Sequence, residues 1–132
     1  MNEYSVELLT AEDGFVSSEI YSIIQDRQGF LWFGTAENGV MRYDGRRVTL
    51  FESDSDPSQG LSHNDAGNLM LDAEGNIWIG TWGGGVNKYD PTTGRYSRYL
   101  NDPDDPRSIS SNRTPDFRMR GSNKSLLKLM AT

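Results

Sequence analysis

Few side chains in this sequence have the type and spacing that enzymatic chemistry requires. His63 is the only histidine, and a catalytic triad or a metal site would need partner residues at set positions around it. Asp26 and Asp72 could act as paired carboxylates in acid–base chemistry, but each is followed three residues later by a glycine, which favours a turn. We therefore predict a surface loop for His63, and no catalytic residue, metal site or cofactor.

Two further stretches resemble ligand-binding loops only in outline. Gly83-Gly84-Gly85 could be taken for a phosphate cradle, but no Lys-Ser/Thr pair follows it and a strand-to-helix context is missing, so a hairpin turn is predicted. Residues 102–105, Asp-Pro-Asp-Asp, could suggest calcium. They lack the alternating oxygen ligands and the closing Glu of a calcium loop, so a solvated linker is predicted.

The sequence repeats itself at an offset of 46 residues, so that residues 14–44 match residues 60–90. A period of this length is typical of solenoids, propellers and repeat arrays. The identical pairs include Asp26/Asp72, Gly29/Gly75, Trp32/Trp78, Gly34/Gly80, Thr35/Thr81, Gly39/Gly85, Val40/Val86, Tyr43/Tyr89 and Asp44/Asp90.

Each repeat has the pattern of four short β-strands. Apolar or alternating segments are separated by turns rich in Asp and Gly, and the 14 glycines of the chain agree with many tight turns. Four antiparallel strands in about 40–50 residues is the layout of a propeller blade. The predicted strands are 20–25, 31–35, 40–43 and 47–51 in the first repeat, and 68–71, 77–81, 86–89 and 95–100 in the second.

The sequence therefore predicts an all-β fold, a partial β-propeller with two four-stranded antiparallel blades plus an N-terminal outer strand. Blade 1 is assigned to residues 11–53 and blade 2 to residues 54–100, and residues 1–10 are predicted to form the outer strand of an adjoining blade. Residues 101–113 are predicted to start an incomplete third repeat, because residues 108–112 parallel residues 60–64. Residues 114–132 lose the pattern and are predicted to be a disordered or non-native tail.

The repeated positions have structural explanations. The mid-strand tryptophans are expected to fill the space between neighbouring blades, because large aromatic side chains suit that gap. The strand glycines would let a neighbouring sheet approach closely, and the aspartates are expected to form turns. These structural repeat positions are Trp32, Trp78, Gly34, Gly80, Asp26 and Asp72.

Positions that differ between the repeats are better candidates for binding a ligand. Trp82 stands where the first repeat has Ala36, so the fold does not demand an indole there. An exposed aromatic side chain in a loop could stack on a ligand, for instance a sugar. His63 stands where the first repeat has Ser17. We predict Trp82 and His63 as the possible ligand contacts.

Charge and hydropathy exclude several kinds of partner. The chain has a net charge of −6, made up of −10 in residues 1–112 and +4 in residues 113–132. An acidic body argues against nucleic acid, whose phosphates need a basic surface. No apolar run approaches the roughly 18 residues of a membrane helix, and the N-terminus lacks a signal-peptide pattern. We expect no membrane contact by this chain and no signal peptide, and cysteine is absent, which excludes disulfides.

The repeated pattern resembles the two-component-regulator propeller repeat, over roughly residues 10–113. The second copy, residues 72–90, is closer to that repeat than the first. The residues that carry the resemblance in the first copy are Asp26-x-x-Gly29-x-Leu31-Trp32-Phe33-Gly34-Thr35 and Gly39-Val40-x-Arg42-Tyr43-Asp44.

Repeats of this family form the extracytoplasmic sensors of bacterial hybrid histidine kinases and of some diguanylate cyclases. The resemblance implies a fragment of a signal-transduction sensor, periplasmic in its full-length parent, that senses a ligand or binds a protein without catalysis of its own. A fragment of a propeller-type enzyme, a lyase or a glycosidase, is the alternative, and a passive fragment without activity is a third.

Association with other copies is the partner we expect. A closed ring needs about 4–8 blades, and two blades alone leave unpaired strand edges and apolar faces that favour association. We predict a homo-oligomer in which three or four chains complete a propeller ring, each lending its N-terminal strand to the next. A small molecule or a glycan is the expected ligand.

Overall fold

The computed structural model describes residues 19–109 and 111–114, in which eight β-strands and no helix are found. A helix capable of crossing a membrane is accordingly not found in this part of the chain. The strands are β1 (Ile20–Gln25), β2 (Leu31–Thr35), β3 (Val40–Tyr43), β4 (Val48–Phe51), β5 (Asn68–Leu71), β6 (Ile77–Gly80), β7 (Val86–Asp90) and β8 (Arg95–Tyr99).

The strands form two separate four-stranded sheets, one from each repeat. Blade 1 has the order β1-β2-β3-β4 and blade 2 the order β5-β6-β7-β8, and all neighbours are antiparallel. This confirms the predicted all-β class with two four-stranded antiparallel blades. The predicted outer strand at residues 1–10 lies outside the described residues, as do residues 115–132 of the predicted tail.

The strand bounds follow local hydrogen bonding. The fourth strand was predicted to begin at Arg47, whereas β4 begins at Val48. The Asp44 carboxylate accepts the backbone N–H groups of Arg46 and Arg47 at 2.9 and 3.0 Å, so both residues belong to the turn. An aspartate that bonds its own backbone in this way competes with strand pairing.

The turn between the first two strands of each blade is closed by a glycine. Gly29 and Gly75 have φ angles of 88° and 90°, a conformation that costs glycine little. Their N–H groups donate to the carbonyl groups of Asp26 and Asp72 at 3.0 and 3.1 Å. The recurring Asp-x-x-Gly pattern therefore specifies the same turn twice.

The main core lies between the two blades and contains side chains from both. Trp32 of blade 1 is 1% exposed, and its ring lies 5.1 Å from Phe51 and 5.7 Å from Tyr89 of blade 2, measured between ring centroids. Burying an indole of this size contributes about 4–6 kcal/mol to folding. The buried members of this core are Trp32, Val40, Leu61, Ala66, Leu69, Ile77, Ile79 and Tyr89.

Close backbone approach joins the inner strands of the blades. A Cβ atom on Gly34 would lie 2.6 Å from the carbonyl oxygen of Gly67, so no larger residue fits there without separating the sheets. The Ser22 hydroxyl donates to the same carbonyl at 2.6 Å and accepts the Leu69 N–H at 3.2 Å. This hydroxyl bridges β1 and β5.

A smaller apolar cluster covers the opposite face of blade 2. Trp78 is 1% exposed and packs with Val86 and Ile109, and Met70 and Tyr99 lie against them. The Trp78 ring lies 5.3 Å from that of Tyr99. Trp78 occupies in blade 2 the position that Trp32 occupies in blade 1, and Ile109 belongs to the segment that follows β8.

Candidate ligand-binding face

The candidate functional residues lie at one end of the two sheets. Because successive strands are antiparallel, the β2–β3 loop, the β4–β5 connection, the β6–β7 loop and the segment after β8 all emerge at the same end. We call this end the loop face. His63, Trp82 and Arg113 belong to three of these segments, and all three are exposed.

The loop face contains two junctions with the same backbone frame. The first junction joins residues 36–39 to residues 64–66, and the second joins residues 82–85 to residues 112–114. Gly39 N–H donates to the Asn64 carbonyl at 2.7 Å, and Gly85 N–H donates to the Asn112 carbonyl at 2.7 Å. The two repeats therefore form the same backbone arrangement, while the side chains on it differ between the two junctions.

Asparagine and threonine side chains support this frame in both copies. The amide oxygens of Asn64 and Asn112 accept backbone N–H groups of Ser53 and Asn101 at 2.8 and 2.6 Å. The hydroxyl groups of the repeated threonines cap the loop that follows each second strand, and each donates to a glycine carbonyl. These bonds join Thr35 to Gly39 at 2.8 Å and Thr81 to Gly85 at 2.7 Å.

Trp82 is the large aromatic side chain of the second junction. It is 47% exposed, and it is anchored by its backbone N–H, which donates to the Asp65 carbonyl at 3.0 Å. The Arg113 guanidinium lies over its ring, with 4.2 Å between the guanidinium carbon and the ring centroid. Residues 82 and 113 also form an isolated antiparallel bridge, which holds the two side chains together.

His63 lies beside the same loop. Its Nε2 and Cδ2 atoms are 3.8 Å from the point that a Cβ atom on Gly83 would occupy. The adjacent Ser62 fixes its place, because the Ser62 hydroxyl donates to the Gly84 carbonyl at 2.7 Å and accepts the amide N–H of the buried Asn87 at 2.7 Å. The two predicted ligand contacts, far apart in sequence, are therefore neighbours on the loop face.

The first junction carries acidic side chains and a tyrosine that the sequence did not single out. Tyr21 is 58% exposed and lies at the irregularity in the pairing of β1 with β2, between Ile20 and Ser22. The negative charge of Glu19 raises the pKa of Tyr21 most strongly, and Asp65 and Glu37 raise it further. The charges of three carboxylates therefore act on one phenol.

The Tyr21 ring takes space that the second repeat leaves empty. Residue 67 is the second-repeat counterpart of Tyr21, and it is a glycine whose added Cβ atom would lie 2.2 Å from Cδ2 of Tyr21. The signal that could have revealed Tyr21 and Arg113 was the comparison of unequal positions, Tyr21 with Gly67 and Asp65 with Arg113.

The repeated aspartates bind tryptophan as well as forming turns. Asp26 accepts the N–H groups of Gln28 and Phe30 at 2.9 Å and the indole Nε1–H of Trp32 at 2.8 Å. Asp72 accepts the indole N–H of Trp78 at 2.8 Å in the same way. The two carboxylates lie in separate blades and do not form an acid–base pair.

The environment of Asp72 favours its charged form. Burial opposes ionisation, but hydrogen bonds from Trp78, from the backbone and side chain of Asn76 and from the Glu74 backbone outweigh it and lower the pKa of Asp72. A carboxylate that accepts several N–H groups behaves in this way. Its role is to fix the turn and the indole.

Metal-binding residues do not cluster in the part of the chain that the structure describes: no three of its His, Cys, Asp and Glu residues are placed to share an ion. Gly83–Gly85 form the turn between β6 and β7. In the linker after β8, Asp102 accepts the Asp104 N–H at 3.0 Å, and Asp105 pairs with Arg107 at 3.3 Å.

The sequence model of one known family, described as Two component regulator propeller, matches residues 14–37 and 60–83. These matches coincide with the two copies of the repeat. The repeats are two-component regulator propeller repeats. The predicted family and the predicted partial β-propeller are thereby confirmed. No curated protein matches the chain.

Solved structures with the same fold include extracellular domains of putative hybrid two component systems of B. thetaiotaomicron. The extracellular domain of the putative hybrid two component system BT3049 is 36% identical with a TM-score of 0.72, and covers 80% of this chain. The corresponding domain of BT4673 is 31% identical with a TM-score of 0.53, and covers 68% of this chain.

The propeller chain described here spans a small part of those domains. It corresponds to 14% of the BT3049 domain and 12% of the BT4673 domain. The family is one of two component regulator propellers, and these neighbours are extracellular domains of putative hybrid two component systems.

Proposed function

We propose that the two blades are part of an extracytoplasmic sensor of a two-component signalling system, and that the loop face binds the sensed ligand without catalysis. The relatives are extracellular domains of putative hybrid two component systems, which supports a periplasmic location of the parent protein. The observation that carries the proposal is Trp82, a half-exposed indole in a position where the same scaffold accepts Ala36.

The geometry of the second junction suits a ligand with a flat apolar face. Trp82 offers ring surface, while its backbone is held by Asp65 and by the bridge to Arg113. Aromatic rings that are rigid and half-exposed supply contact area at little entropic cost. A saccharide ring, with one face of C–H groups and hydroxyl groups at its edge, matches this surface.

Ligand binding is tested with variants that restore first-repeat residues. Trp82→Ala and His63→Ser introduce the residues that the first repeat has at these positions, Ala36 and Ser17, so we expect the fold to tolerate them. Neutral and acidic oligosaccharides are titrated while tryptophan fluorescence and nuclear magnetic resonance shifts are recorded. We expect saturable binding that Trp82→Ala weakens by about tenfold or more, with near-ultraviolet circular dichroism unchanged.

Binding that is unaffected by Trp82→Ala would place the ligand elsewhere and refute the proposal. Product formation from the same oligosaccharides, lost on His63→Ser, would instead favour the enzyme alternative. A passive fragment would show neither binding nor turnover.

We also propose that other copies of the chain pack against the side of blade 2 that carries the Trp78 cluster. Trp78, Met70 and Tyr99 lie on this face, where the equivalent face of blade 1 packs Trp32 and Phe51 against a neighbouring blade. A blade of a second copy supplies the matching surface, and three or four chains would complete a ring. Light scattering on a size-exclusion column should give three or four times the 14.8 kDa chain mass. A monomer would refute this assembly.

A further inference from the structure

The two junctions of the loop face provide an internal comparison of side-chain chemistry. Their backbone hydrogen bonds are equivalent, including the bond from Ala66 N–H to the Thr35 carbonyl at 3.0 Å and that from Thr114 N–H to the Thr81 carbonyl at 2.7 Å. Because the frame is the same, differences between the side chains are not imposed by the fold. They indicate what each junction contacts.

The two junctions differ in charge. The first junction presents Glu37 and Asp65, together with Glu19 and the exposed Tyr21. At the equivalent positions of the second junction Glu37 is replaced by Gly83, and the counterpart of Asp65 is Arg113. The first junction therefore carries carboxylates alone, whereas the second adds a guanidinium and keeps one carboxylate residue, Asp65, at the place that Glu19 has in the first.

Arg113 is available to a ligand. Its guanidinium lies over the Trp82 ring, and its side chain is exposed. Within residues 19–109 and 111–114 the ion pair found joins Arg107 to Asp105. No carboxylate of these residues forms an ion pair with Arg113. A guanidinium stacked on an indole keeps its N–H groups free at the edge, where they bind carboxylates or sulfates in a forked geometry.

His63 supplies a second donor at the same place. Its Nδ1 accepts the backbone N–H of Asp65 at 2.9 Å, so in the neutral ring the proton is on Nε2. Nε2 lies next to Gly83, where the missing side chain leaves room. A glycine in place of Glu37 thus removes a carboxylate and opens access to an N–H donor.

We propose that the second junction is an anion-recognition subsite for an acidic saccharide. The sugar ring stacks on the part of the Trp82 ring that the Arg113 guanidinium leaves exposed, and its carboxylate or sulfate group accepts hydrogen bonds from that guanidinium and from Nε2–H of His63. Glu19 and Glu37 of the first junction repel the same group, so the acidic end of the ligand is oriented toward the second junction. This inference rests on the proposed ligand-binding function of the loop face.

The test compares an acidic trisaccharide with its uncharged form. A trimer of hexuronic acid, its methyl ester and a sulfated neutral trisaccharide are titrated into the full chain, with Trp82 fluorescence and indole N–H resonances as readouts. We expect the acid to bind about tenfold more tightly than the ester, and this preference to shrink in 1 M salt, where the screening length is about 3 Å. The sulfated probe shows whether sulfate or carboxylate is preferred.

Two variants separate a specific contact from a general charge effect. Arg113→Gln should remove the preference for the acid, whereas Arg107→Gln, which removes the same charge from the side chain paired with Asp105, should change binding less than about twofold. Equal binding of acid and ester, both lost in Trp82→Ala, would overturn the anion subsite and leave the proposed function standing. Absence of any Trp82-dependent binding up to ~10 mM would overturn both.

Discussion

The hydrogen bond between Asp26 and Trp32 should contribute strongly to stability, because it is buried and charged at one end. Asp26 Oδ2 accepts the Trp32 indole N–H at 2.8 Å, and Oδ1 accepts two backbone N–H groups at 2.9 Å. Asp26→Asn has nearly the same shape but replaces one oxygen with an NH₂ group. That group must then face either the indole N–H or the turn amides, donor against donor.

The expected loss follows from these contacts. A hydrogen bond to a charged group contributes about 1.5–3 kcal/mol, and a buried donor left without an acceptor costs about 1–3 kcal/mol. Since Trp32 is 1% exposed, water cannot replace the lost partner. We expect Asp26→Asn to lower the free energy of unfolding by roughly 2–3 kcal/mol, which lowers Tm by about 10–20 °C for a folded unit of this size.

Asp44→Asn is the matched control. Asp44 Oδ1 also accepts two backbone N–H groups, at 2.9 and 3.0 Å, but on the surface and without an indole. Its loss should be about 0.5–1 kcal/mol. Both variants are compared by urea unfolding at pH 7, followed by near-ultraviolet circular dichroism. If Asp26→Asn destabilises the chain no more than Asp44→Asn, the indole bond contributes nothing and our explanation of the repeated Asp and Trp is wrong.

Three further predictions concern stability in acid, the contact between the blades, and the hydrogen bonds from Arg98 of β8 to the β4–β5 connection. Because the pKa of Asp72 is lowered on folding, its contribution is complete above about pH 4 and is lost as the pH falls through the lowered value, so Asp72→Asn should flatten the fall in Tm between roughly pH 5 and 2. Gly34→Ala should lower the free energy of unfolding by about 2–3 kcal/mol, because the added Cβ atom would lie 2.6 Å from the Gly67 carbonyl oxygen. Gly94→Ala, in open space at a φ of 73°, should lower it by about 1 kcal/mol. Equal losses in thermal unfolding would contradict close packing at Gly34. Nη2 of Arg98 donates to three carbonyl groups of the β4–β5 connection. Arg98→Met should therefore lower the free energy of unfolding by about 1–2 kcal/mol and speed proteolysis of this connection. An unchanged cleavage rate would show that these hydrogen bonds do not hold the connection in place.

The strands and turns could be predicted because their signals are local. Alternating apolar residues, Asp-x-x-Gly turns and an internal period of 46 residues act over a few positions each, and they repeat in one chain. The eight strands lie where the sequence predicted them, within about a residue at most ends. The family was recognisable for the same reason.

The bond between Asp26 and Trp32 was within reach of the sequence but was not predicted. Both copies place an aspartate six residues before a tryptophan. Turn formation accounts for the aspartate at the local level and uses only one of its two carboxylate oxygens. Only the three-dimensional structure shows that the Trp32 indole N–H donates to the second carboxylate oxygen of Asp26.

Sequence alone determined the two blades, their turns, and Trp82 and His63 as candidate contacts. Tertiary structure decided which side chains meet: Arg113 lies on Trp82, and Tyr21 fills the space above Gly67. These contacts join residues 31 to 46 positions apart, and they depend on how one sheet is seated against the next. The difference is physical, because strand and turn preferences belong to each short segment, whereas the packing of side chains between blades belongs to the assembled fold.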